Sequence, residues 1–160
     1  MGGVGVRVGV ERICSREVNE LKVERALQEL HEKGLKLTGK REQMLRLLAQ
    51  EDRFMNAKEV MERMQRDYPG ISVDTIYRNL TSFVKLNLLE ETELNGERFY
   101  RFCCEKPDTH HHHFICAACG KTEAIQACPV TWPGLTLPSG YSISGHKFEV
   151  YGRCPKCQQG

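Results

Sequence analysis

The sequence lacks three features that would assign it to common classes of protein. It contains no run of about eighteen apolar residues, so no membrane-spanning helix and no membrane partner are expected. Residues 1–19 lack the apolar segment of a secretory signal peptide, and we interpret them as an amino-terminal extension. The formal net charge is only +2, which by itself predicts no nucleic-acid partner. Any DNA binding must therefore depend on a local patch.

Cysteine, in contrast, is abundant, with eight residues in a chain of 160. In a secreted protein such a count would indicate disulfides. Without an export signal, and with two Cys-x-x-Cys pairs near histidines, metal binding is the favoured interpretation. We therefore expect a cytoplasmic protein.

Residues 20–102 carry the start and stop signals of several short helices. Apolar residues recur at helical spacing between Glu20 and His31 and again after Thr38, which is a suitable N-cap. Asn56, followed three residues later by Glu59, predicts a capping box at a third helix that ends near "DYPG". Three helices are expected before residue 71.

A fourth helix, "VDTIYRNLTSFVKL", is predicted after the N-cap Ser72. One of its faces is apolar and is expected to be buried; it consists of Ile76, Leu80, Phe83 and Val84. The opposite face presents Thr75 and Arg78, with Tyr77 on its flank. An arginine among small hydroxyls suits the major groove of DNA, where arginine can bind guanine with two hydrogen bonds.

A β-hairpin follows this helix, because alternating segments flank Asn95-Gly96. Short helices followed by a hairpin predict a winged-helix domain with its last helix in the major groove. The pattern alone leaves an alternative open, namely a small helical domain whose exposed arginine and tyrosine have no function.

Two Cys-x-x-Cys pairs predict a structural metal site. Cys116 and Cys119 form one pair, and Cys154 and Cys157 form the other. Four thiolates complete the tetrahedral coordination of Zn²⁺, so such a site stabilises the fold and performs no chemistry. The alternative is a labile disulfide pair.

Four consecutive histidines precede the first pair, in "THHHHFICAACG". Successive side chains of a strand point to opposite faces, so His110 and His112 would face one way and His111 and His113 the other. Each pair is then half of a metal site; the alternative is an unstructured polar tract. Candidate partners elsewhere in the sequence are Glu90, Cys103, Cys104 and His146. Taken alone, His146 would more often be a core histidine than a ligand.

The segments "LTGKRE", "SVDTIYRNL", "HHHHFICAACGKT" and "SGHKFEVYGRCPKC" together resemble the ferric uptake regulator (Fur) family, and within it the zinc uptake regulator (Zur) branch, over about residues 20–157. The resemblance implies an α+β protein with an amino-terminal winged helix and a small α/β dimerisation domain, residues 103–160. It also implies a homodimeric, metal-dependent repressor of zinc-uptake genes that binds a palindromic operator and has no small organic substrate.

The resemblance further implies the roles of individual metal ligands. The four paired cysteines match the family's structural zinc site, and a regulatory site at the interdomain hinge matches Glu90, Cys104, His111 and His113. Its mixed sulfur, nitrogen and oxygen donors suit Zn²⁺ better than Fe²⁺. A second regulatory site would use His110, His112 and His146, but the carboxylate that relatives supply is missing, and Thr131 stands near its place.

For DNA contacts the resemblance points to Tyr77 and Arg78 on the fourth helix, with Arg41 and Lys40 binding phosphates. Thr75, on the same exposed face, completes the candidate set. No role is assigned to Cys14 or Cys128.

The sequence leaves three alternative functions to weigh against zinc-dependent repression. An iron or peroxide sensor of the same family would often carry a histidine where this chain has "EDRFMNAKE", so zinc is favoured. A zinc enzyme could use His110, His112 and His146 with an open coordination position, but no acidic residue adjoins them as a general base, so the chain is not expected to be an enzyme. A zinc store would leave the exposed face around Arg78 unexplained.

Overall fold

The computed structural model describes residues 16–103 and 112–159. The first of these segments combines helices with a three-stranded antiparallel sheet. Its helices are α1 (Arg16–Glu32), α2 (Gly39–Glu51), α3 (Ala57–Met64) and α4 (Val73–Lys85). Its strands are β1 (Met55–Asn56), β2 (Leu89–Leu94) and β3 (Glu97–Phe102), in the order β1-β3-β2. Throughout the described segments, every helix is too short or too polar to cross a membrane.

The helix boundaries follow the local signals that predicted them. The side chain of Thr38 accepts a hydrogen bond from the backbone of α2, and Ser72 does the same for α4. Asn56 and Glu59 form the complete capping box at α3. Two boundaries differ from the expectation: α1 begins at Arg16, inside the predicted extension, and α3 ends at Met64, before "DYPG".

The hairpin of β2 and β3 forms as predicted. Asn95 and Gly96 both have positive φ, 52° and 80°, as a two-residue turn of this type requires. Counting outward from that turn pairs Glu90 with Arg101 across the two strands. The predicted buried face of α4 is confirmed for Ile76, Leu80 and Phe83, which have no exposed surface. Val84 is only partly buried.

The second segment folds around another three-stranded sheet. Its strands are β4 (His112–Cys116), β5 (Thr122–Ile125) and β6 (Glu149–Gly152), in the order β5-β4-β6. β5 is antiparallel to β4 and β6 is parallel to it. The segment ends with the short helix α5 (Pro155–Gln158), which begins at the second cysteine pair. β6 begins only at Glu149, so His146 lies in the loop that precedes this strand.

The two sheets are connected by close backbone contacts. The backbone N–H of Phe54 donates to the carbonyl of Gly120 at 3.0 Å, and Arg53 forms an antiparallel bridge with Lys121. Gly120 has φ 72°, and a Cβ atom there would lie 2.1 Å from the Phe54 carbonyl oxygen. Only glycine fits this contact without displacement. The loop after Cys119 is therefore fixed against the segment that joins α2 to β1.

Polar side chains join the hairpin to β6. The Thr92 hydroxyl donates to a Glu149 carboxylate oxygen at 2.7 Å and lies 3.0 Å from the Tyr151 hydroxyl. Lys147 Nζ donates to the carbonyl of Glu91 at 3.0 Å. Thr92 is 2% exposed, so this junction excludes water at its centre.

Candidate metal centres and DNA-binding face

The four paired cysteines meet at one point. Cys116 ends β4, Cys119 follows in the tight turn, Cys154 is the N-cap of α5 and Cys157 lies within that helix. Their sulfur atoms all lie within 4.8 Å of one another. Bonds of about 2.3 Å at tetrahedral angles place two sulfurs about 3.8 Å apart on Zn²⁺, and the sulfurs of Cys119 and Cys154 are 3.8 Å apart. The residues therefore fit a tetrahedral zinc ion.

The pKa shifts of these thiols are also consistent with a cation bound among them. Burial raises the pKa of Cys116, but hydrogen bonds from the backbone N–H groups of Cys154, Ala118 and Cys119 outweigh it and lower that pKa to about 6. Hydrogen bonding to Cys154, then to Cys119, raises the pKa of Cys157 to about 12. The lowered pKa of Cys116 thus favours its thiolate, while the raised pKa of Cys157 favours its neutral thiol. A bound cation would stabilise all four as thiolates.

The predicted hinge site is represented by Glu90 and His113. The Nδ1 atom of His113, on β4, lies 3.8 Å from Oε2 of Glu90, on β2. The two proposed ligands thus come from the two different sheets. Cys104 and His111, the other two predicted ligands, lie outside the described residues, so their positions stay predictions.

Arg101 lies beside this pair and was missed by the sequence analysis. Its guanidinium approaches Nε2 of His113 at 3.1 Å and contacts Oδ1 of Asp52 at 3.0 Å. Arginine can only donate, so Nε2 of His113 accepts and Nδ1 carries the proton in this arrangement. Arg101 is 8% exposed. The hairpin register, which pairs it with Glu90, was the signal that could have located it.

The opposite face of β4 carries a second cluster. Nε2 of His112 lies 3.4 Å from Nε2 of His146, which lies 3.4 Å from Sγ of Cys128. His112 and His113 thus diverge across the strand, as predicted; His110 lies outside the described residues. The sequence analysis assigned no role to Cys128, whose sulfur the structure places beside these two imidazoles. The signal was its position, three residues before the place of the missing carboxylate.

Thr131, which stands in that place, has a different role. Its hydroxyl donates to the carbonyl of Cys128 at 2.7 Å, within the 3₁₀ turn Pro129–Thr131. The segment around Pro133 and Gly134 forms no α-helix. Thr131 therefore stabilises the turn that holds Cys128 and is not part of the described histidine cluster.

The candidate DNA-binding residues lie on or beside α4. Tyr77 is 48% exposed, and the Arg78 side chain is 77% exposed, with its Nη1 atom 3.5 Å from Oδ2 of Asp74. Thr75 lies in the first turn, where its hydroxyl is 2.8 Å from that of Ser72. The face of α4 that is not packed on the core thus presents polar side chains to solvent.

Arg41 and Lys40 are less free than expected. Nε of Arg41 donates to Oδ1 of Asn79 on α4 at 2.9 Å, and its Nη1 donates to the carbonyl of Lys36. Lys40 Nζ lies 5.9 Å from the centroid of the Tyr68 ring. Asn79, 8% exposed, was missed by the sequence analysis. Its amide also donates to the carbonyl of Thr75 at 2.8 Å, so the Arg41–Asn79 contact fixes α4 against α2.

A comparison with known protein families identifies the chain. The model of the ferric uptake regulator family matches residues 32–151. The chain belongs to the ferric uptake regulator family. As a member of the Fur family it is a transcription regulator and not an enzyme, which confirms that expectation.

Curated relatives and solved structures agree with this assignment. The ferric uptake regulation protein of Staphylococcus aureus strain N315 is 50% identical over 135 residues, which is 83% of this chain and 96% of the relative. The protein of the same name from Staphylococcus epidermidis ATCC 12228 is 48% identical over 136 residues, 84% of this chain and 94% of the relative. The mixed α and β fold is shared with solved members of the family.

Two of those structures cover most of this Fur-family chain. The Helicobacter pylori ferric uptake regulator, described as having three functional metal-binding sites, superposes with a TM-score of 0.63 at 23% identity, covering 89% of this chain and 95% of that one. A zinc uptake regulator complexed with zinc and DNA gives 0.64 at 19% identity, covering 88% and 95%. At these identities the comparison establishes the fold and not the metal.

Proposed function

We propose that this Fur-family protein is a zinc-responsive repressor that binds a palindromic operator as a homodimer and controls zinc-uptake genes. The observation that carries the proposal is the distance of 3.8 Å between Oε2 of Glu90 and Nδ1 of His113. Glu90 lies in the hairpin of the winged helix, and His113 lies in the sheet of the second segment. A metal ion held by both would tie the DNA-binding elements to the second sheet. As a repressor of this kind, the protein would act in the cytoplasm.

The donor atoms support zinc as the regulatory metal. Sulfur ligands favour Zn²⁺ over Mn²⁺ and Fe²⁺, and Cys104 is the predicted sulfur donor at the hinge. Iron is the second candidate, because the Staphylococcus relatives are named ferric uptake regulation proteins. Zinc at the Cys116 cluster would have a separate, structural role.

The exposed surface of the second segment supports the homodimer. Several large apolar side chains between residues 132 and 151 are 38–72% exposed, namely Trp132, Leu135, Leu137, Tyr141, Ile143, Val150 and Tyr151. β6 is an edge strand among the described residues. Apolar surface of this extent, next to an open strand edge, is typical of a site that another subunit covers.

The two winged helices of such a dimer match a two-fold symmetric operator. In each, α4 would enter the major groove with Tyr77, Arg78 and Thr75 towards the bases, while Lys40 and Arg41 lie near the phosphates. Arg41 would act in addition by holding α4 through Asn79.

The proposal is tested by operator binding at buffered metal concentrations. Fluorescence anisotropy of an AT-rich palindromic duplex from a zinc-uptake promoter is measured with Zn²⁺, with Mn²⁺ and, without oxygen, with Fe²⁺. We expect binding to require Zn²⁺, and the variants Cys104→Ser and His113→Ala to lose the zinc response. Cys103→Ser is the matched control and should respond as the wild type does.

Two results would contradict the proposal. Operator binding that is equal with zinc and with a chelator would exclude metal-dependent repression. Activation by Fe²⁺ at free concentrations where Zn²⁺ is inactive would make the protein an iron sensor. Sedimentation of the protein and its operator complex gives the number of chains, and a monomer on DNA would exclude the homodimer.

A further inference from the structure

The sulfur of Cys128 lies where the second histidine pair needs a third ligand. Its Sγ atom, Nε2 of His112 and Nε2 of His146 all lie within 4.8 Å of one another. These residues come from three separate parts of the chain: β4, the start of the 3₁₀ turn, and the loop before β6. Their convergence is therefore a property of the tertiary fold.

The distances match those around a tetrahedral metal better than those of hydrogen bonds. Bonds of about 2.0–2.1 Å to two imidazole nitrogens place the nitrogens about 3.3–3.4 Å apart on Zn²⁺, and those of His112 and His146 are 3.4 Å apart. A hydrogen bond between nitrogen atoms at this length would be weak. Sγ of Cys128 lies at a similar 3.4 Å from His146, so the three donor atoms surround a common point.

Neighbouring side chains hold two of these ligands in place. The His112 ring, 5% exposed, packs edge to face against Phe148 at 5.3 Å between centroids, and Trp132 packs on Phe148 at 6.2 Å. The hydroxyl of Thr131 fixes the carbonyl of Cys128. A ligand whose rotamer is restricted before binding loses less entropy when the metal arrives.

We propose that Cys128 is a metal ligand and that His112, Cys128 and His146 form a zinc site distinct from both the cysteine cluster and the hinge. A thiolate here replaces the missing carboxylate. Two imidazoles and one thiolate make a softer donor set than imidazoles with a carboxylate, so the site selects Zn²⁺ over Mn²⁺ and Fe²⁺. A fourth ligand would be water or a donor atom from outside this trio.

The role of this site in sensing rests on the proposed function. Its ability to bind metal does not. The site gives this Fur-family chain a sulfur donor in a second exchangeable site. The zinc response would then depend on thiolates at both regulatory positions.

The test uses Co²⁺ as a spectroscopic substitute for zinc. The full-length Cys104→Ser variant is prepared with zinc retained in the cysteine cluster, so that Cys128 is the sulfur under test. We expect Co²⁺ to produce a sulfur-to-cobalt charge-transfer band in this protein. The band should disappear when Cys128→Ala is added and persist when Cys103→Ala, at a cysteine outside this group, is added instead.

Two further variants separate the ligand from the fold. Cys128→Asp in the same background should still bind Co²⁺ without the charge-transfer band, and its preference for Zn²⁺ over Mn²⁺ should fall. His146→Asn should weaken zinc binding at least by the roughly 10–100-fold that even changes beyond the ligands cause. Retained cluster zinc and an unchanged melting temperature show that each variant is folded.

The outcomes distinguish this inference from the proposed function. A band of equal intensity with and without Cys128, or no band in the Cys104→Ser protein, overturns the inference. If the wild type then still binds its operator only with zinc, the proposed function stands without this site. If the band depends on Cys128 but operator binding ignores zinc, the site stands and the proposed function fails.

Discussion

His113 accepts a hydrogen bond from Arg101, with 3.1 Å between Nε2 and Nη1. This contact is incompatible with metal binding at His113 through either nitrogen. A metal on Nε2 would take the position of the guanidinium, and a metal on Nδ1 would leave the proton on Nε2, where Arg101 would face another donor. Arg101 also pairs with Asp52, the C-cap residue of α2, so a metal bound by His113 would displace a contact that reaches this helix.

Replacing Arg101 should therefore strengthen zinc binding at the hinge. Arg101→Met keeps an apolar stem and removes the competing donor, and we expect a gain of about five- to tenfold, since a hydrogen bond contributes about 1 kcal/mol net. Competition with a chromophoric chelator measures the affinity. Arg98→Gln, on the same strand but exposed, is the control. Unchanged affinity in Arg101→Met would show that the guanidinium does not compete.

Loss of the cysteine cluster should affect folding before it affects sensing. Cys116 has no exposed surface, and structural zinc binding is coupled to folding. Cys116→Ser should lose the retained zinc and unfold the second segment, a change comparable to the whole stability of about 5–15 kcal/mol of a small domain. Metal analysis and thermal unfolding test this. Cys103→Ser, whose sulfur lies outside the cluster, should keep both zinc and stability.

The contact between Phe54 and Gly120 should not tolerate a side chain. Gly120→Ala places a Cβ atom 2.1 Å from the carbonyl oxygen of Phe54 and puts a non-glycine residue at φ 72°, which alone costs about 1–2 kcal/mol. We expect a loss above 2 kcal/mol in urea unfolding. Gly134→Ala, with open space around it, is the control. Equal stability of both variants would show that the contact is dispensable.

Local signals in the sequence were sufficient to predict the helices, the hairpin and the cysteine cluster. The residues that the sequence analysis missed are placed by long-range contacts. Asn56 with Glu59, Asn95 with Gly96, and the two cysteine pairs each act over a few residues, so their effects are readable from spacing. The approach of Cys128 to His146 depends instead on how a loop without regular structure returns to β4. The fit of Gly120 against Phe54 likewise requires both sheets to be in place.

The side-chain directions of His112 and His113 could be predicted only in part from the sequence. Alternation along a strand predicts that neighbouring imidazoles diverge, and the structure confirms it for this pair. Alternation does not say which side chains meet each face. Arg101 could have been placed by hairpin register, whereas Cys128 had only its position near Thr131 as a signal.

Acid should weaken the junction between the hairpin and β6. Burial raises the pKa of Glu149, but hydrogen bonds from Tyr151 and Thr92 and the ammonium of Lys147 outweigh it and leave that pKa below its ordinary 4.5. A carboxylate with a lowered pKa contributes stability above its ordinary pKa, and this contribution is lost as pH falls through the folded value.

The variant Glu149→Gln removes that contribution at neutral pH. We expect it to lower the free energy of unfolding by about 1.5–3 kcal/mol, which is the usual contribution of a hydrogen bond to a charged group. The difference from the wild type should shrink on acidification below pH 4.5, the ordinary pKa. Glu123→Gln, at an exposed ion pair with Lys121, should change stability little. A pH-independent difference would assign the loss to packing.

Recognition of the operator should depend on Arg78 more than on arginines elsewhere. Its side chain is 77% exposed on α4, so Arg78→Ala should leave the fold intact. A base contact of arginine contributes about 1–3 kcal/mol of discrimination, so operator affinity should fall roughly 5- to 150-fold, with a smaller loss for a random duplex. Anisotropy titrations at several salt concentrations measure both. Arg66→Ala, in the exposed turn after α3, is the control. If Arg78→Ala lost the same affinity for operator and for random DNA, Arg78 would contact only phosphates.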